Sequence, residues 1–126
     1  MYIVVSGAAG FIGFHVTQKL LAEGYKVIGV DNINDYYDTG IKFARLDILQ
    51  NQQNFTFLKC NIDCYEELDK GLKDFEIAGV IHLAAQSGVR YSIENPFEYT
   101  QSNLVGFTSI LEIARSHKIN HLVYAS

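Results

Sequence analysis

The chain has 126 residues, 48% hydrophobic and 19% charged, the balance of one ordinary globular domain with enough apolar material for a real core. A formal net charge of −4 with no basic cluster argues against nucleic acid and anionic membranes as partners. The longest apolar runs are strand-sized, far short of the roughly 20 residues that span a bilayer.

In chain order, Tyr2-Ile3-Val4-Val5-Ser6 reads as a first strand entered without a charged leader, so no export signal is expected. Three glycines then fall at steps of three in Gly7-Ala8-Ala9-Gly10-Phe11-Ile12-Gly13, and Phe14 to Gly24 reads as a helix with Ile12, Val16 and Leu20 along one face. Strand, glycine turn and helix begin a mononucleotide-binding βαβ unit. Gly7 permits the sharp turn out of the strand. Gly10 lets backbone N–H groups approach a pyrophosphate at the positive end of the helix dipole. Gly13 removes a Cβ so that helix and strand pack closely. By itself the motif is also compatible with a glycine-rich turn that binds nothing.

The second strand, Lys26 to Val30, decides between those readings, because it ends in Asp31. A carboxylate there accepts hydrogen bonds from both hydroxyls of an adenosine ribose and repels a 2′-phosphate, which favours NAD over NADP. The polar stretch from Asn32 to Asp38 follows at the ligand end of the sheet. Its tyrosines either flank an adenine or cover the sheet edge.

A second helix is expected between Thr39 and Gln52, with Ile41, Ala44, Arg45 and Ile48 on neighbouring turns. Phe55 to Lys59 alternates as a third strand. Asn61 and Ile62 follow it. Asp63 and Glu66 then form a capping-box pattern for a helix to about Lys73. Gly79 to Leu83 is a fourth strand, apolar as one covered on both faces should be. His82 within it reads as a hydrogen-bonded core histidine, and Ala84-Ala85 let a cofactor lie close to the backbone. Asn95-Pro96 starts a long helix, with Leu104, Phe107, Leu111 and Ala114 on its apolar face, running to about His117. His121 to Ala125 is the fifth strand. Cys60 and Cys64 have no suitably placed Cys or His partners and read as thiols in a reducing cytoplasm.

Five strands alternating with helices predict an α/β, doubly wound parallel sheet of the Rossmann kind in order 3-2-1-4-5. Ala84-Ala85-Gln86-Ser87-Gly88-Val89-Arg90-Tyr91-Ser92-Ile93-Glu94-Asn95-Pro96 is more specific. With Ser6 to Gly13, Asp31 to Asp38 and Val123-Tyr124-Ala125-Ser126, it resembles the extended short-chain dehydrogenase/reductase family. Within that family the resemblance is to nucleotide-sugar epimerases, especially the UDP-glucuronate 4-epimerase group.

That resemblance implies NAD as cofactor. It assigns Gly7, Gly10, Phe11, Ile12 and Gly13 to the pyrophosphate loop, and Asp31 and Asn32 to the adenosine ribose. Asn61 and Ile62 fall to adenine, with an amide where the family usually has Asp. Leu83, Ala84, Ala85 and Ser87 line the nicotinamide-ribose side, and Ser102 and Asn103 face the cofactor. Arg90 matches an arginine near the sugar nucleotide, or is a solvated surface arginine.

In the family a hydride leaves C4 of the sugar for NAD and returns to the opposite face. A tyrosine assisted by a lysine four residues later removes the hydroxyl proton. No such Tyr-x-x-x-Lys occurs in these residues, so no catalytic residue is assigned. The expectation is an incomplete domain, cut short after the fifth strand, that binds NAD without epimerising. A free-standing NAD-binding regulatory module and the front half of a sugar-nucleotide 4,6-dehydratase stay open as alternatives. The fifth strand would present an unpaired apolar edge, which predicts a homo-oligomer.

Overall fold

The computed structural model describes residues 1–33, 39–84, 93–94 and 96–125. Five strands form one sheet: β1 Tyr2–Ser6, β2 Lys26–Asp31, β3 Phe55–Lys59, β4 Ile77–His82 and β5 Leu122–Tyr124. Their order is β3-β2-β1-β4-β5 and every pairing is parallel, as expected. α1 (Phe11–Ala22), α2 (Thr39–Gln50) and α3 (Tyr65–Leu72) fill successive crossovers. α4 (Pro96–Thr100) and α5 (Gly106–Ser116) lie before β5, joined by a π-helical turn at Gln101–Val105.

Strand periodicity divides the core between the two sheet faces. Val4, Ile28, Val30 and Val80 pack with Leu68 and Leu72 of α3 and Ile110 and Ile113 of α5. Their neighbours Val5 and Val27 point the other way, onto Phe14 and Leu21 of α1 and Leu49 of α2. The carboxyl ends of β1, β2 and β4 therefore open between two helical layers, where ligands bind in sheets of this kind.

The helices depart from expectation in their buried faces. In α1 the buried positions are Gly13, Phe14, Thr17 and Leu21, while Ile12 is exposed. A Cβ on Gly13 would stand 1.9 Å from the Gly7 carbonyl oxygen, so this backbone contact sets the helix rotation. In α2 the buried residues are Lys42, Leu46 and Leu49, and Ile41 and Ile48 face outward. α3 starts at Tyr65 with Cys64 at its N-cap and no side-chain cap bond, so the Asp63–Glu66 capping box does not form. In α5 the buried stripe is Gly106, Ser109, Ile110 and Ile113; Leu104 and Leu111 are 64% and 45% exposed. The π turn breaks the 3.6-residue period on which the expected stripe relied. The helix start at Asn95 lies outside the described residues.

Candidate dinucleotide site

Gly10 is the N-cap of α1, and its N–H donates to the Gly7 carbonyl at 3.0 Å. Gly7 has φ +77°, and a Cβ there would meet Ala84 N at 2.8 Å. The turn requires glycine twice over, for its left-handed backbone and for its contact with the chain leaving β4. Phe11, Ile12 and Gly13 are the first three helical residues, whose N–H groups have no partner inside the helix. Together they make the N-terminal rim of α1, where the helix dipole is positive.

Asp31 lies beside that rim, at the end of β2. Its Oδ2 accepts from the Ala9 N–H at 3.0 Å and its Oδ1 from the Ile33 N–H at 2.8 Å. Ile33 adopts φ +53°, folding the chain back over the carboxylate. The side chain is only 5% exposed, and each oxygen keeps a second lone pair for a further donor. Lys42 Nζ stands 3.6 Å from Oδ1.

Asn32 Nδ2 donates to Asn61 Oδ1 at 2.7 Å, joining the residues after β2 and β3. Ile62 beside them is buried in the core. On the other side of β1, Ser6 Oγ accepts from the N–H groups of Leu83 and Ala84 at 3.0 and 3.1 Å. It lies 2.7 Å from His82 Nδ1. With both lone pairs taken, the hydroxyl proton goes to Nδ1 and fixes the Nε2–H tautomer. Burial holds the His82 imidazole down to about 4 from its ordinary 6.5, so it is neutral. His82 is a core histidine, stacked on Phe107 with ring centroids 5.5 Å apart.

The structure thus brings together Gly7, Gly10, Phe11, Ile12, Gly13 and Asp31, with Asn32, Asn61 and Ile62 on one flank and Leu83 and Ala84 on the other. Ser102 and Asn103 are carried on the π turn, a distortion that recurs at functional sites. Ala85, Ser87 and Arg90 lie outside the described residues. Cys60 and Cys64 are free thiols; burial, and next the charge of Glu67, push Cys60 up to about 11. Among the described residues no cluster of three His, Cys, Asp or Glu suits a metal, and no helix is long and apolar enough to cross a membrane.

The profile of the family described as GDP-mannose 4,6 dehydratase matches residues 4–126. The chain belongs to this family. Among its relatives, Protein CapI of Staphylococcus aureus is 50% identical over 126 residues, 100% of this chain and 37% of its own length. A UDP-glucuronate 4-epimerase of Thermodesulfobacterium geofontis is 44% identical over 125 residues, 99% of this chain and 39% of its own. The structure of a mutant UDP-glucuronic acid 4-epimerase from Bacillus cereus, in complex with UDP-4-deoxy-4-fluoro-glucuronic acid and NAD, superposes with a TM-score of 0.86 at 34% identity. That superposition covers 98% of this chain and 39% of the other. The chain therefore spans less than two-fifths of the length of these relatives. The likeness to nucleotide-sugar epimerases read from the motifs is borne out.

Membership in the family leaves two features that the motifs did not disclose. Ser6 and His82 tie β1 to β4, a pairing across 76 positions that no local pattern marks. Arg45 Nη1 donates to the Ala9 carbonyl at 3.1 Å, and Lys42 reaches Asp31. The sequence marks these two only as a pair of cations three residues apart on α2, between the apolar Ile41 and Ile48.

Proposed function

We propose that this chain is the NAD-holding part of a nucleotide-sugar 4-epimerase of the UDP-glucuronate/UDP-galacturonate type. The observation that carries it is the Ala9 peptide. Its N–H binds Asp31 while the next residue, Gly10, opens α1, so ribose acceptor and pyrophosphate rim are one rigid unit. A Cβ on Gly10 would crowd the Gly7 carbonyl oxygen at 3.2 Å, and the bare backbone at this N-cap fits the close approach of a dinucleotide.

In this reading the N–H groups of Phe11, Ile12 and Gly13 receive the pyrophosphate, and Asp31 accepts from the ribose hydroxyls. Asn32, Asn61 and Ile62 flank adenine. Leu83, Ala84, Ala85 and Ser87 line the nicotinamide-ribose side, with Ser102 and Asn103 facing the cofactor and Arg90 the sugar nucleotide. NAD, when bound, supplies a reversible acceptor for the hydride at C4 of the sugar. The relatives named UDP-glucuronate 4-epimerase support this substrate class.

These residues contain no Tyr-x-x-x-Lys, so the 126 residues hold the cofactor without supplying the proton-transfer pair. Calorimetric titration tests the reading: NAD is expected to bind, and NADP more weakly. A chain that binds no NAD overturns it. With NAD and UDP-glucuronate present, no UDP-galacturonate should form; turnover at enzymic rates would show that the proton-transfer pair is here after all.

The family's description supports a second reading, the front half of a sugar-nucleotide 4,6-dehydratase. A longer chain carrying these residues would then yield a keto-deoxy sugar in place of an epimer. At the β5 edge, where Val123 is 61% exposed, the partner we propose is a second copy of this chain. Sedimentation should show self-association that Val123→Lys weakens.

A further inference from the structure

We propose that Lys42 is a specificity-determining residue of the dinucleotide site, setting as counter-ion to Asp31 how strongly the site rejects a 2′-phosphate. The inference rests on the reading that Asp31 receives the adenosine ribose.

Lysine is rarely buried without a charged partner, because its ammonium loses hydration. Here Lys42 is 8% exposed while its neighbours Ile41 and Phe43 face solvent. Lys42 shares its helix face with the buried Leu46 and Leu49, so the packing of those leucines also brings this cation to Asp31. Arg45, one turn on and on the same face, binds the carbonyl of Ala9, whose N–H binds Asp31. Lys42, Asp31, Ala9 and Arg45 are therefore one connected cluster, which among the described residues holds two cations and one carboxylate.

Asp31 without this cluster would present a full negative charge to the ribose. With Lys42 Nζ 3.6 Å from Oδ1, the field at the 2′ position is a difference between two opposed charges. A phosphate placed there meets an ammonium as well as a carboxylate. Selectivity for NAD is then smaller than the carboxylate alone would impose, and the two side chains are coupled in setting it.

The experiment is a double-mutant cycle read as the ratio of NAD to NADP affinity, by calorimetry on the whole chain. Asp31→Asn should move the ratio toward NADP by about tenfold, as the carboxylate's repulsion is removed while the ammonium's attraction stays. Adding Lys42→Met should remove most of that gain. Lys42→Met by itself should widen the preference for NAD. Lys42→Gln enters the same cycle if the methionine variant does not fold, as judged by circular dichroism.

An Asp31→Asn gain that is equal with lysine or a neutral residue at 42 overturns the proposal. So does a ratio unmoved by neutralising Lys42, since a merely structural lysine would alter both affinities together. Failure of the unsubstituted chain to bind NAD refutes instead the reading beneath it, and is distinguishable because no ratio then exists.

Discussion

The Ser6 hydroxyl and the His82 imidazole meet at 2.7 Å where β1 and β4 end side by side. The same hydroxyl holds the N–H groups of Leu83 and Ala84, so one oxygen aligns the start of the segment leaving β4. The contact requires a neutral imidazole. In the unfolded chain His82 takes up a proton as the pH falls through about 6.5, whereas in the fold burial delays this to about 4. Between those values the unfolded state binds more protons, so stability falls with decreasing pH. The His82 contribution is intact above 6.5, and below it the loss grows by up to about 1.4 kcal/mol per pH unit until about 4. Urea unfolding over that range should show the loss. His82→Gln, which still accepts from Ser6 and does not titrate, should flatten the slope by that amount.

Two glycines should respond very differently to alanine. At Gly13 a Cβ would stand 1.9 Å from the Gly7 carbonyl oxygen, so α1 and the loop must separate. Gly13→Ala should cost about 3 kcal/mol and weaken NAD binding together. Gly24 has φ +91° in a helix end where Tyr25 N–H reaches the Leu20 carbonyl, yet nothing lies within 4 Å of a Cβ there. Gly24→Ala should cost only about 1 kcal/mol, all of it backbone strain, and leave NAD affinity unchanged. Thermal melts and calorimetry on the two variants separate crowding from strain.

That pair also shows what the sequence could disclose. Glycine spacing and the acid closing β2 are local signals, and Val/Ile runs covered on both faces mark strands wherever they occur. Sheet order and the cradle were therefore legible. Helix rotation was not, because periodicity counts apolar residues and assumes that they face inward. α1 instead turns on a bare Gly13 and buries Thr17, while α2 buries Lys42 beside Leu46 and Leu49 and leaves Ile41 and Ile48 outside. The π turn has no residue signature, and it carries Leu104 out of register with α5, whose buried stripe runs through Ile110 and Ile113 and leaves Leu111 outside.

The start of α3 offers a third test. Cys64 occupies the N-cap with φ −99° and ψ 88° and makes no side-chain cap bond, while its carbonyl already accepts from Leu68 N–H at 3.1 Å. A serine hydroxyl at this position could satisfy one of the first-turn N–H groups. Cys64→Ser should raise stability by about 1 kcal/mol. Asp63→Ala, one position ahead of the cap, should change it by less than about 0.5 kcal/mol. A large loss at Asp63 would show that the capping box forms in solution.

Thr17 sits in the middle of α1, fully buried, and its hydroxyl has no hydrogen-bond partner among the described residues. Burying an unpaired hydroxyl costs more than it returns, and valine has the same branched shape without that oxygen. Both residues have similar helix propensity, so the substitution isolates the polar atom. Thr17→Val should stabilise the fold by about 1 kcal/mol, seen as a higher urea midpoint at unchanged slope. An unchanged or lower midpoint would mean that the hydroxyl turns to bond a carbonyl of the preceding helical turn.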